Sequence, residues 1–397
     1  MNKFAPSPKE LFIMMFIIVG FVVIYSWALM DPNFTLFNHP LWDYFRNFFI
    51  RLGYQEKTFS MIFYLLSILC LYILYFFSKR VKPNKIFSFS IFIATLTIFS
   101  YPFLTHDLFN YLFDAKIITI YHSNPYSFAP QHFEGDQWLR FMHWVHRTYP
   151  YGPSFLFLSL IPVFLASGKL VFSFFFYKMF NVLFYLIGVY SLLKIDKKSA
   201  LLFAFHPLII IEGLINAHND MIAVGIGLFG LSLLFKYIGN PVSNKSKLKS
   251  NLSLFFSYLL LLCSGLIKFF TLPIIFIIPS KKITHQISLL VLFAMIGYIS
   301  FTQVTQPWYF LNLFLFLPFF PKIISYLEIF LATLMISYIP YILNTGWGEK
   351  GSVLQKNQII FVGLIINILW ILYTNRLMIF DIFKSKKIQF HKLLRLS

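Results

Sequence analysis

The sequence predicts an all-α, polytopic membrane protein of about 11–13 transmembrane helices, on three observations. Of its 397 residues, 58% are hydrophobic and only 12% charged, a balance that soluble domains do not show. Apolar runs of roughly 17–25 residues, the length that crosses a hydrocarbon core as a helix, recur along the whole chain. No ten-residue alternation of a membrane barrel accompanies them, so the spans are helical. The third observation is where the charge lies. With the amino terminus inside, the segments 1–10, 79–85, 194–198, 236–250, 281–285, Lys322 and 376–397 carry 22 of the 33 Lys and Arg residues. The outer segments 31–57, 105–153, Lys268 and 344–357 are longer in total and carry 9. That asymmetry is the positive-inside bias, and the basic inner loops also suit anionic membrane lipid. The net charge of +19 therefore reports topology and not a nucleic-acid partner.

In chain order, residues 11–30 read as a retained anchor crossing outward, since no small-residue cleavage site follows Lys3 and Lys9. The segment 31–57 is polar and outside, 58–78 returns to the cluster Lys79, Arg80, Lys82 and Lys85, and 86–104 crosses outward again. Residues 154–168 read as a short re-entrant or surface helix, because only an odd number of crossings from 154 puts Lys194, Lys197 and Lys198 inside; 170–193 is then the span. Residues 200–217 and 221–237 form a hairpin with its outer tip at Ala217-His218-Asn219-Asp220. The run 252–280 is long for one span and short for two, and contains Lys268 and Pro273. Two half-depth helices meeting at a cavity fit it, as does one tilted span with 310–343 merged. Residues 286–302, 323–343 and 358–375 complete the crossings, before a basic cytoplasmic tail. No internal repeat and no separate soluble domain is visible, so 1–397 reads as one integral membrane domain. Cys70 and Cys263 sit in apolar runs and offer neither a disulfide framework nor metal-ligand spacing.

The longest stretch that cannot sit in lipid is 105–153, THDLFNYLFDAKIITIYHSNPYSFAPQHFEGDQWLRFMHWVHRTYPYGP. Its first part reads as a helix at the membrane surface, with Asp107, Asn110, Tyr111 and Asp114 on one face. Asn124-Pro125-Tyr126 stops it, and Tyr149-Pro150-Tyr151-Gly152-Pro153 turns the chain back. Asp107, beside His106 at the outer end of a span, is suited to take a proton from a sugar hydroxyl or to hold a cation; it equally suits a helix cap. Glu212, Asn216, Asn219 and Asp220 share a helical face leading to the hairpin tip, as a polar substrate wall or an interhelical network. Lys268, with Arg147 or His218, suits a phosphate, although a lysine there can also snorkel to the interface. Tyr151, Trp308 and Tyr309 offer faces for a sugar, and the last two also fit an aromatic belt. His106, Asp107, His218 and Asp220 are the one set from which a metal site can be assembled, without a recognisable ligand motif.

The order HDLFNYLFDAK, NPY, YPYGP, FHPLIIIEGLINAHND, LIKFFTLP and QPWY resembles the GT-C superfamily of polytopic glycosyltransferases. Within it, the similarity is to bacterial polyprenyl-phosphate-mannose-dependent alpha-(1→6) mannopyranosyltransferases, from about residue 86 to about 310. The resemblance implies a bacterial plasma-membrane enzyme with an outward-facing site under the long loops. It implies a polyprenyl-phosphate sugar donor, a glycan or lipid-linked acceptor, an acid general base and no nucleotide cofactor. By position Asp107 matches the loop acid, and His218, Asn219 and Asp220 the hairpin tip. His106, Tyr111, Asp114, Arg147, Tyr151, Glu212, Lys268, Trp308 and Tyr309 complete the expected substrate wall, with no metal required. The chain departs from the family pattern in placing His106 before the acid and in its abundance of Phe. A multi-span transporter or lipid flippase using the same buried charges is the rival reading, and a lipid-linked glycan ligase or polymerase a nearer one.

Overall fold

The computed structural model describes residues 6–239, 247–344 and 350–376, and no β-strand occurs among them. The basic tail beyond Arg376 and the middle of the segment 236–250, which was expected to lie inside, fall outside the described residues. Among the described residues fourteen α-helices follow one another. They are α1 (Pro8–Tyr25), α2 (Pro40–Ile50), α3 (Lys57–Ser78), α4 (Pro83–Thr97), α5 (Asp107–Thr119), α6 (Pro153–Leu165) and α7 (Leu170–Ile195). The rest are α8 (Lys197–Phe205), α9 (Asn219–Gly239), α10 (Lys247–Gly265), α11 (Lys282–Thr302), α12 (Ile323–Ile336), α13 (Ile339–Asn344) and α14 (Lys350–Thr374). Local chemistry sets several of their ends. Ser7 and Glu10 form a reciprocal capping box at the start of α1, and Pro opens α1, α2, α4 and α6, where its missing N–H costs nothing.

Among the described residues, seven helices are long and apolar enough to cross a membrane, or eight if α8 and the segment after it count as one bent span. The protein is thus a multi-pass helical membrane protein. The number falls short of 11–13 because several apolar runs fold as short helices (Pro153–Leu165, Asn251–Gly265, Pro307–Phe316). Two runs expected as continuous are broken at identifiable residues. The first arm of the hairpin bends by 68° between α8 and the wide-turned segment Ile209–Ile215. Pro207 forces His206 out of helical geometry, to φ −66° and ψ 131°. At the second, α10 stops at Gly265, Lys268 is extended, and Phe269–Phe276 continues as a 3₁₀ turn around Pro273.

Helix α9 packs between α7 and α10, α12 against α14, and α1 against α3 and α4. The outward faces of α11 and α14 carry exposed apolar side chains, among them Tyr298, Phe301, Phe361 and Trp370, as lipid-facing helices do. Helix α5 differs from the surface helix expected of it. Every residue from Leu108 to Ile117 is buried, because α6 and α7 pack on one side and the loop between α5 and α6 folds over the other. Lys116 and Asp136 form an ion pair, Tyr121 donates to the same carboxylate (2.6 Å), and Trp138 lies 4.1 Å from the Lys116 ammonium. These contacts fasten the loop to the helix that carries Asp107.

Candidate active site

A cavity of about 1120 Å³ opens beside the start of α5. Seven of the thirteen expected site residues line it: His106, Asp107, Arg147, Tyr151, Lys268, Trp308 and Tyr309. Asp107 is the first residue of α5, and its side chain is 13% exposed. Asp107 does not cap the helix: His106 holds the N-cap position without a side-chain cap bond, and Thr105 Oγ1 accepts from the Asp107 N–H (3.1 Å). The carboxylate is therefore left for other partners at the positive end of the helix. Trp144 Nε1 donates to Oδ1 (3.3 Å), and Oδ2 stands 3.7 Å from His218 Nδ1.

His218 is fully buried between two carboxylates, with Nε2 3.3 Å from Glu212 Oε2. Its ring stacks on Trp308, centroids 4.0 Å apart, so Trp308 and not His218 faces the cavity. Asn216 donates to Glu212 Oε2 (3.0 Å) and accepts from the backbone N–H of Leu104 (3.3 Å). One side chain thus ties the hairpin to the segment leading into Asp107. The other tip residues also stand behind the wall. Asp220 pairs with Lys268 (3.1 Å) and accepts from Asn312 (2.7 Å), while Asn219 accepts from Tyr111 and Lys268, each at 3.4 Å. Tyr111 packs edge-on against Tyr151, whose ring lies 5.2 Å from the Lys268 ammonium. Gly152 permits that contact, because a Cβ there would lie 1.9 Å from the Leu266 carbonyl oxygen.

The bent arm exists in this form because α7 caps it. Fully buried Lys178 donates to the carbonyls of Leu214 (2.6 Å) and Ile215 (2.7 Å) and to Ser100 Oγ (2.8 Å), and Asn181 donates to Gly213 O (2.5 Å). Carbonyls freed by the wide turn would otherwise be orphaned in an apolar interior. Ala217 then adopts φ 54°, a left-handed conformation costing roughly 1 kcal/mol, which delivers His218 to the tip.

The possible metal set does not converge among the described residues. His106 Nδ1 donates to Phe141 O (2.9 Å), and Asp220 is held by Lys268. His106 instead faces His143, ring centroids 4.3 Å apart, and both line a second cavity of about 150 Å³ next to the first. Desolvation lowers both imidazoles below the usual range, and the neighbouring His106 ring adds to the lowering at His143.

Asp114 shares the helical face of Asp107 but is buried away from the cavity. Burial pushes its carboxyl up to about 8, with Arg147 pulling in the opposite direction. An acid with its pKa raised in this way is mostly protonated at pH 7, so an amide mimics its resting form. Asp114→Asn is expected to keep turnover within about threefold at pH 7. The difference should appear only above about pH 8, where the native carboxyl ionises and the amide does not. A pH–rate comparison of the two proteins checks this. Thr105, His143, Trp144, Gln306 and Asn312 are site residues that sequence reasoning did not single out; Gln306 stands in the QPWY motif, and the density of aromatic and His residues in 138–146 pointed toward His143 and Trp144.

Fold and cavity together define a multi-pass membrane protein with a polar, acid-bearing chamber that is walled on one side by a lipid-facing helix. The chain belongs to the alpha-(1→6)-mannopyranosyltransferase family (MptA_B family): the model of that family's N-terminal domain matches residues 51–279. It is accordingly a glycosyltransferase of mannosyltransferase kind, which takes a sugar donor and a glycan acceptor. No curated protein and no solved structure matches it. The matched segment contains Asp107, the long loop after α5, the hairpin and Lys268, while Gln306, Trp308 and α11–α14 lie beyond it.

Proposed function

We propose that the protein transfers mannose from a polyprenyl-phosphate donor to a lipid-linked or cell-envelope glycan on the outer face of the membrane. Asp107 acts as general base. The observation that carries this reading is the composition of the cavity wall. Asp107, Arg147 and Lys268 share one chamber with Val291, Met295, Tyr298 and Ile299 of α11, a helix otherwise turned to lipid. A prenyl chain suits the apolar side of such a chamber, and a sugar phosphate suits the polar end.

In the proposed reaction the acceptor hydroxyl loses its proton to Asp107 while its oxygen attacks the anomeric carbon. The bond from that carbon to the phosphate oxygen breaks on the opposite face, inverting the configuration. The electron pair leaves on polyprenyl phosphate. Arg147 is exposed to the chamber and stacks on Trp144 at 4.8 Å, so its guanidinium fork is available to the phosphate. Lys268 is already neutralised by Asp220 and contributes as one end of that pair. Donors placed in this way are worth about 3–4 kcal/mol each in comparable sites. Trp144 and His218 hold the two oxygens of Asp107, and His218 offers the proton a path toward Glu212.

Purified protein in detergent, given polyprenyl-phosphate [³H]mannose and cell-envelope glycan, is expected to transfer label without any ion gradient and with inversion at the anomeric carbon. A panel of polyprenyl-phosphate hexoses and pentoses run alongside tests the choice of mannose. Uptake of donor across proteoliposomes without transfer would support the transporter reading, and transfer only of preassembled oligosaccharides the ligase one.

A further inference from the structure

Helix α14 is mostly lipid-facing, yet one side chain on it is a fully buried cation, Lys356. An ammonium inside a span is costly and persists where it has partners and work to do. Its Nζ donates to Gln306 Oε1 at 2.6 Å and lies 5.3 Å from the ring centroids of both Tyr338 and Tyr341. Gln306 and Tyr341 are cavity-wall residues. Gln306 precedes Pro307-Trp308, where the 3₁₀ segment begins, and Trp308 is the ring stacked on His218. A second link runs through charge: Lys356 interacts electrostatically with Glu212, the carboxylate on the far nitrogen of His218. Tyr338, whose ring the ammonium approaches, also hydrogen-bonds the Glu212 side chain, and a buried carboxylate is stabilised by a cation nearby.

We propose that Lys356 is a positioning residue for sugar transfer. It holds the Gln306–Trp308 wall against His218 and supplies the counter-charge of Glu212. The line Glu212–His218–Asp107 thereby keeps its shape and its charge. The inference rests on the assignment of Asp107 as base, but it concerns residues beyond the segment that matches the family. It explains why a lipid-facing helix at the end of the chain carries a cation toward the chamber.

The test compares wild type with Lys356→Met, which keeps the apolar stem, and Lys356→Arg, which keeps the charge. Polyprenyl-phosphate mannose is the donor and octyl α-mannoside the acceptor probe. Lys356→Met is expected to lower kcat by about ten- to a hundredfold while donor KM stays within about threefold. Lys356→Arg should recover most of the rate. A folded Lys356→Met protein with native kcat overturns the proposal. Gln306→Ala removes the same hydrogen bond and should reproduce the loss of kcat; native kcat in that variant also overturns it. A readout independent of activity separates this inference from the functional reading. The emission of Trp308, taken as the difference from Trp308→Phe, should change in Lys356→Met and not in Lys356→Arg. If wild type transfers no sugar but that emission still responds, the reaction assignment fails and the positioning role stands; if the emission does not respond, the positioning role fails.

Discussion

Asp107→Asn is expected to leave donor affinity within about tenfold and to lower turnover by roughly 10²–10⁴. A base must reach the acceptor hydroxyl as a carboxylate, and an amide of equal shape cannot take the proton. The surroundings are set to tolerate that substitution. Trp144 Nε1 can still donate to the remaining carbonyl oxygen, and the Asp107 carboxylate makes no cap bond on α5, so the helix start is untouched. The variant should therefore fold and bind. Asp114, two helical turns along, lies about 10 Å away by helix rise and is buried from the chamber, so it cannot take over. Donor binding and single-turnover sugar transfer, measured on the same preparation, check the expected split. Near-native turnover would move the base to Glu212 or Asp220, each of which stands behind the wall and reaches the chamber only through His218 or Lys268.

The second large effect is expected on folding. Lys178→Met should destabilise the protein by about 3–5 kcal/mol, seen as a lower unfolding temperature in detergent together with loss of activity. Its ammonium satisfies two main-chain carbonyls and one hydroxyl, all fully enclosed, and Met offers none of them a donor. The carbonyls of Leu214 and Ile215 belong to the turn that leads to His218. Their release therefore reaches the active site through the backbone as well as through stability. Unchanged thermal stability in Lys178→Met would show that the bent arm does not depend on α7. The contrast between the two variants is the useful part: Asp107→Asn should lose catalysis in a stable protein, Lys178→Met both at once.

The helical spans and the multi-pass character were legible in the sequence because they rest on composition and on short-range spacing. So was the break at Lys268, where a cation and a proline interrupt one apolar run. Asp107 was legible as an acid at the end of a span. Whether its carboxylate caps the helix was not, because that turns on which oxygen accepts the helix N–H, and Thr105 Oγ1 accepts that of Asp107. Lys268 likewise read as a free cation until Asp220 was seen against it.

The chain's own pattern determined that it is a multi-pass helical protein with an acid, a histidine and a lysine at recurring polar breaks. Hydrophobic periodicity and proline chemistry act within a few residues, so they are written in the order of the chain. Tertiary structure alone decided which polar groups share a chamber. Asp107 with His218, Lys268 with Asp220 and Lys356 with Gln306 are pairs 111, 48 and 50 residues apart in the sequence. Such pairs form where a low-dielectric interior penalises every unpartnered charge, and helix packing determines which partner is within reach.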